Sequence, residues 1–323
     1  MPSTTSLKFK ATCHGKIMLA GEYSVLWGGR ALAFTTSSEM TVAMTPTSDE
    51  FVEIFSDHWG TSRKLSVSEC MNSGEPAFSF LGKLLTHPTF PNKPKGLAVE
   101  VVSTSFDVSY GVGSSSALRL AMAKAFSALT ASPLTREEII LLAYEHQLSE
   151  QKRASGYDFL TQAYGGFTVS RSLESKKIDC QKIDPLPGKL SLLVYVSSTG
   201  APTGPLLKST YSELERLKLV DELLEASESL ISSFLQMDKG ITLFSKIARV
   251  RSIFKQTGAY SPVMSNILDT HPFCDREYSW KQTGAGGEDA LLVFGNVPQK
   301  IHLSLLEHGY RLAPFELGDF PLR

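Results

Sequence analysis

Residues 110–117 read Tyr-Gly-Val-Gly-Ser-Ser-Ser-Ala and stand directly before an apolar-periodic stretch, residues 118–129. Gly111 and Gly113 can take backbone conformations closed to other residues. Ser114, Ser115 and Ser116 then open a helix, whose unpaired first N–H groups and positive dipole end attract anions. The chemistry this suggests is phosphate binding; a glycine-rich turn with a serine cap is the plainer alternative. A second glycine-dense loop, residues 281–290 (Lys-Gln-Thr-Gly-Ala-Gly-Gly-Glu-Asp-Ala), runs into the strand-like residues 291–294. Its Gly284, Ala285, Gly286 and Gly287 would allow close backbone approach to a ligand, and Lys281 could offset the charge of Glu288. A third segment, residues 15–26 (Gly-Lys-Ile-Met-Leu-Ala-Gly-Glu-Tyr-Ser-Val-Leu), lies near the N-terminus. No Gly-x-x-x-x-Gly-Lys-Ser/Thr run occurs, which disfavours a Walker-type NTPase.

Transfer of a phosphoryl group needs a phosphate cradle, a cation bridging phosphate oxygens, and a group that orients or deprotonates the attacking oxygen. Glu145 and Glu150 are the acids available for a cation; each could equally face solvent on a helix. Asp158, in Ala-Ser-Gly-Tyr-Asp at 154–158, is a candidate base, with an Asx-turn or helix cap as its plainer role. Lys16 would supply a fixed positive charge, or else point to water from a strand end. His14 receives no role, and Trp27 and Tyr110 could border a ligand or line the core.

These residues need elements to hold them. Residues 7–12, 31–36, 40–44, 52–55 and 97–103 are rich in strand formers, and the last strand delivers the chain to the Gly/Ser loop. Thr135 and Glu138 form a capping box for a helix through about residue 152. Pro-Leu-Pro-Gly at 185–188 marks a boundary, followed by a strand at 190–196. Beyond it, amphipathic patterns cover 205–237, 241–256 and 263–268.

A chain of 323 residues suggests two domains sharing a cleft. The net charge of −1 gives no bulk attraction for nucleic acid or an anionic membrane. The four cysteines lie far apart without a Cys-x-x-Cys pair, as expected of reduced thiols rather than a zinc site. The polar N-terminus and the lack of any apolar run near 18 residues point to a soluble cytoplasmic protein.

In this order, the three glycine segments resemble the three signature motifs of the GHMP kinases, which include galactokinase, homoserine kinase, mevalonate kinase and phosphomevalonate kinase. The resemblance spans residues 8–295, and the ordered triple is more specific than any one loop. It implies an α+β GHMP kinase fold, with a ribosomal-S5-like ATP-binding domain over residues 1–185 and a ferredoxin-like domain over 186–323. It also implies ATP and Mg²⁺. Gly111, Gly113, Ser114, Ser115 and Ser116 would wrap the triphosphate, and Ser115 and Glu150 would hold the metal, Gln147 standing where mevalonate kinases carry a Glu. Asp158, followed by Tyr-Gly-Gly at 164–166, matches the catalytic base, and Lys16 the lysine beside the reacting oxygen. The small-molecule acceptor would meet Gly21, Glu22, Tyr23, Thr199, Gly200, Gly284, Ala285, Gly286 and Gly287. Tyr23, Tyr110, Asp289 and residues 198–203 lean towards the phosphomevalonate kinases, so 5-phosphomevalonate is the expected acceptor and mevalonate the alternative. A non-catalytic ligand-binding protein of the same fold is a third reading, against which Lys16 and Asp158 argue. Nucleic-acid and membrane partners are not expected, and a homodimer is left open.

Overall fold

Two long strands, β1 (Phe9–Ala20) and β2 (Ala31–Thr47), pair antiparallel, from Phe9 opposite Met44 to Ala20 opposite Leu32. The computed structural model describes residues 7–57, 60–104, 106, 110–151, 153–183, 191–197, 203–260, 262–284, 286 and 290–323. The first sheet continues through β3 (Phe51–Ser56), β4 (Thr61–Ser66), β5 (Gly96–Thr104), β6 (Phe167–Ser170) and β7 (Cys180–Ile183), in the order β4-β3-β5-β2-β6-β7. Because β2 is long, its far half pairs with β5 and its near half with β6. The strict alternation of buried and exposed residues along β3 follows from one covered face.

The second sheet is antiparallel and shorter, comprising β8 (Leu192–Ser197), β9 (Tyr278–Gln282), β10 (Ala290–Gly295) and β11 (Tyr310–Leu312) in the order β11-β8-β10-β9. All five residues of β9 are buried, as expected of a strand covered on both faces. The chain then returns to the first sheet. β12 (Leu317–Gly318) pairs with β2, and Arg323 and Thr12 exchange backbone hydrogen bonds of 2.8 and 3.0 Å.

Helices α1 (Val67–Met71) and α2 (Pro76–Thr86) follow β4. Next come α3 (Ser114–Leu129), α4 (Arg136–Glu150) and α5 (Tyr157–Tyr164). The alanine-rich face of α3 lets it lie closely on β1 and β2, with Ala117, Ala121 and Ala125 fully buried. The expected capping box starts α4: Thr135 Oγ1 accepts from Glu138 N at 3.2 Å, and the Glu138 carboxylate accepts from Thr135 N at 2.7 Å.

In the second half lie α6 (Thr203–Arg216), α7 (Val220–Leu235), α8 (Gly240–Gln256), α9 (Pro262–Leu268) and α10 (Gln299–Glu307). The amphipathic run expected over 205–237 is therefore two helices, broken where Lys218 takes a φ of 58°. The first strand also extends well beyond residue 12, so Lys16 sits inside β1 and is buried rather than at a solvated strand end. The turn expected at 185–188 lies outside the described residues. No described helix is long and apolar enough to cross a membrane.

Candidate active site

Local backbone rules build the phosphate loop. Gly111 and Gly113 both have positive φ, 65° and 76°. The positive φ favours glycine at 113, and a Cβ there would lie 2.8 Å from Lys16 Cε and push the end of that side chain aside. Gly113 caps α3, and its carbonyl accepts from Ala117 N, Ser116 Oγ and Gln162 Nε2, each at 3.0 Å. Lys16 N donates to Val112 O at 2.9 Å and ties the loop to β1.

The helix start opens on a cleft of about 270 Å³. Gly111, Gly113, Ser114, Ser115 and Ser116 line it, together with Lys16, Asp158, Glu22, Tyr23 and Gly284. The three segments singled out in the sequence thus share one cavity. Lys16 Nζ donates to Gly111 O at 3.0 Å and sits 5.2 Å from the centre of the Tyr157 ring. Asp158 lies in the first turn of α5, behind Gly156 with a φ of 76°. Its Oδ1 accepts from the adjacent Phe159 N at 3.1 Å, which is neither an Asx-turn nor a cap, since Gly156 is the N-cap, and Asp158 lines the cleft.

Glu22 arrives through a sharp turn. Gly21 has a φ of 103°, and a Cβ there would lie 2.2 Å from Arg30 O. Gly21 is not among the described residues lining the cleft and serves the backbone path. Glu22 Oε1 accepts from Lys281 Nζ, and both side chains are buried. Lys281 therefore neutralises Glu22; Glu288, whose charge it was expected to offset, lies outside the described residues. Burial lowers the Lys281 pKa, and the Glu22 carboxylate opposes that fall. Removing one member strands a buried charge, so Lys281→Met is expected to lower unfolding free energy by about 3–5 kcal/mol, with much of the loss recovered in the Glu22→Gln/Lys281→Met double variant. Urea unfolding of the two variants checks this, and equal losses would contradict it.

Thr283 ties the second sheet to β1: its Oγ1 donates to Met18 O at 2.8 Å and accepts from Met18 N at 3.2 Å. Gly286 lies against Ala259, away from the cleft, because Ala259 O would be 2.9 Å from a Cβ placed there. Thr199, Gly200, Ala285, Gly287 and Asp289 fall outside the described residues. Tyr110 is not on the cleft wall; Arg311 donates to its hydroxyl and its ring meets Phe315. Trp27 stacks on Tyr211 at 4.2 Å, and the Arg153 guanidinium, also on the cleft wall, covers the other partner ring, Tyr211, at 4.2 Å. His14 is buried and stacks on Phe320, consistent with the absence of an assigned role.

The expected metal ligands are arranged differently from expectation. Ser115 Oγ accepts from Arg119, and Glu150 pairs with the same guanidinium. Glu150 is not among the described residues lining the cleft; Gln147 and Gln151, one helical turn apart, are. Glu145 pairs with Lys176 at 2.6 Å on the surface. Mg²⁺ requires open oxygen ligands. With a guanidinium bridging Ser115 and Glu150, these two side chains do not fit a metal as arranged. Among the described residues, no three His, Cys, Asp or Glu side chains cluster as a metal site.

Arg119 went unnoticed in the sequence. Its signal was a charged residue on the otherwise apolar face of α3, one turn after Ser115. Its Nε donates to His146 Nδ1 at 3.0 Å, so that nitrogen is unprotonated and the ring proton sits on Nε2, which donates to Ser79 Oγ at 3.0 Å. Burial first, and Arg119 second, push His146 down to about 3, so the ring is neutral at ordinary pH.

Residues 78–166 match the family model described as the GHMP kinases N terminal domain. That match covers residues 78–166 of a 323-residue chain, and the α+β architecture is the GHMP kinase fold. Mevalonate kinase of Methanocaldococcus jannaschii is 23% identical over 287 residues, covering 87% of this chain and 90% of the relative. Among solved structures, Streptococcus pneumoniae phosphomevalonate kinase in complex with phosphomevalonate and AMPPNP superposes with a TM-score of 0.77 at 16% identity, covering 96% of this chain and 99% of that one. Lactococcus lactis galactokinase complexed with galactose gives 0.78 at 12% identity, covering 98% and 95%. Near-equal scores for proteins named for different acceptors mean that the fold alone does not select the acceptor.

Proposed function

We propose that this chain is an ATP-dependent small-molecule kinase that transfers the γ-phosphoryl group to 5-phosphomevalonate. The observation that carries the kinase reading is the convergence, in one cleft, of a glycine loop opening a helix, the buried Lys16 and the carboxylate of Asp158. Residues 1–185 would supply the nucleotide site, and Glu22, Tyr23 and Gly284 would meet the acceptor.

In this reading the triphosphate lies against Gly111 and Gly113 and the amides of Ser114, Ser115 and Ser116, where the helix dipole favours negative charge. The bond between the γ-phosphorus and its bridging oxygen to the β-phosphate breaks, a bond from the γ-phosphorus to an acceptor oxygen forms, and ADP leaves. Asp158 orients the acceptor oxygen, or takes its proton if it is a hydroxyl. Lys16 offsets charge gathering on the transferred group. A phosphate acceptor is supported by two cations on the wall, Lys16 and Arg153, and by Tyr23 on the same wall.

The curated relatives favour a second reading, since the M. jannaschii protein that matches most of this chain is a mevalonate kinase. Steady-state kinetics separate the two. Each charge-assisted contact to the acceptor phosphate is worth about 1.5–3 kcal/mol, so kcat/KM for 5-phosphomevalonate should exceed that for mevalonate by about tenfold or more. Equal or better use of mevalonate would make that molecule the acceptor and leave the roles of Lys16 and Asp158 intact.

A further inference from the structure

Beneath the phosphate loop, Arg119 links two helices that both serve the cleft. It is almost wholly buried, and each of its three guanidinium nitrogens is used. Nη1 donates to Ser115 O at 3.0 Å and to Ser115 Oγ; Nη2 donates to Glu150; Nε donates to His146 Nδ1 at 3.0 Å. Resting on the kinase reading above, we propose that Arg119 is a positioning residue that withdraws Ser115 and Glu150 from metal ligation and makes Ser115 a hydrogen-bond donor to the nucleotide's phosphate. Any divalent cation is then held by the nucleotide's own oxygens and water.

Three features lead there. A hydroxyl has one proton to give and lone pairs to accept with. With Arg119 donating to its oxygen, Ser115 keeps its proton for a partner in the cleft, and the accepted bond polarises that proton further. Second, Arg119 cannot turn aside without leaving the buried, unprotonated His146 nitrogen short of a donor and the Glu150 carboxylate without its guanidinium partner. Third, Gln147 on α4 and Gln151 just past its end are what this helix brings to the cleft, their amides joined by a 3.2 Å hydrogen bond, so no carboxylate from α4 stands there.

Binding of AMPPNP with excess chelator, and binding of Mn²⁺ to the AMPPNP complex followed by electron paramagnetic resonance, test the proposal without turnover. Arg119→Met should weaken chelator-condition AMPPNP binding by about tenfold, as should Ser115→Ala, because a charge-assisted donor is lost or misaligned. Arg119→Lys should recover part of it. The Arg119→Met/Glu150→Gln double variant removes both charges, guards against a folding failure, and should behave like Arg119→Met. Glu150→Gln should leave the Mn²⁺ dissociation constant within about fivefold of the parent. A larger loss in Glu150→Gln would make Glu150 a metal ligand and overturn the proposal, as would unchanged metal-free binding in the double variant. Failure of the unaltered protein to bind AMPPNP under either condition would instead overturn the nucleotide cleft itself, and the proposal with it.

Discussion

Replacement of Asp158 by asparagine is expected to lower turnover by about 10²–10⁴-fold while leaving AMPPNP affinity nearly unchanged. The amide keeps the shape of the carboxylate and can still accept from Phe159 N, the 3.1 Å contact in the first turn of α5. What it lacks is the negative charge and the ability to take a proton. With a phosphate acceptor, whose oxygen is already ionised, Asp158 mainly orients the attacking oxygen, and the loss falls at the lower end of that range. With an alcohol it falls at the upper end. Rapid-quench or steady-state kinetics with saturating ATP measure the effect. Turnover within a few-fold of the parent would show that Asp158 is a turn residue and no more.

Lys16→Met should be nearly as damaging, at about 10²–10³ in kcat, for a different reason. The methionine side chain has similar length and retains the apolar packing against Tyr157 and beside Gly113, where Lys16 Cε occupies the space a Cβ would need. The ammonium that donates to Gly111 O is gone, and with it a positive charge on the cleft wall beside the loop. A loss expressed in kcat, with the melting temperature little altered, separates this role from simple support of β1. An equal fall in stability and activity would point to support alone.

The parts of this site that were legible in the sequence are those set by neighbouring residues. Gly111, Gly113 and Gly156 each precede a helix and each has a positive φ, so glycine spacing alone announced the turns that present Ser114 and Asp158. The capping box at Thr135 and Glu138 was legible for the same reason. Contacts between distant segments were not. Arg119 meets Glu150 across 31 positions, and Lys281 meets Glu22 across 259; nothing local distinguishes these charges from solvated ones. Glu150 looked like a metal ligand because its partner on α3 could not be seen from the chain. The break between α6 and α7 occurs at Leu-Lys-Leu, with neither glycine nor proline to mark it, so the amphipathic pattern ran through it. The return of β12 to β2 involves two residues, too few for any periodicity to register.

Phosphoryl transfer in this cleft shows most directly in the fate of one phosphorus atom. Phosphorus-31 nuclear magnetic resonance of ATP, Mg²⁺ and 5-phosphomevalonate with the unaltered protein should show the γ-phosphate signal of ATP decaying as ADP and the coupled doublets of a new organic diphosphate appear. The same mixture with Asp158→Asn should remain almost unchanged over that time. Intact ATP in the presence of 5-phosphomevalonate, mevalonate, galactose and homoserine alike, or ADP accompanied only by free orthophosphate, would contradict phosphoryl transfer in this cleft.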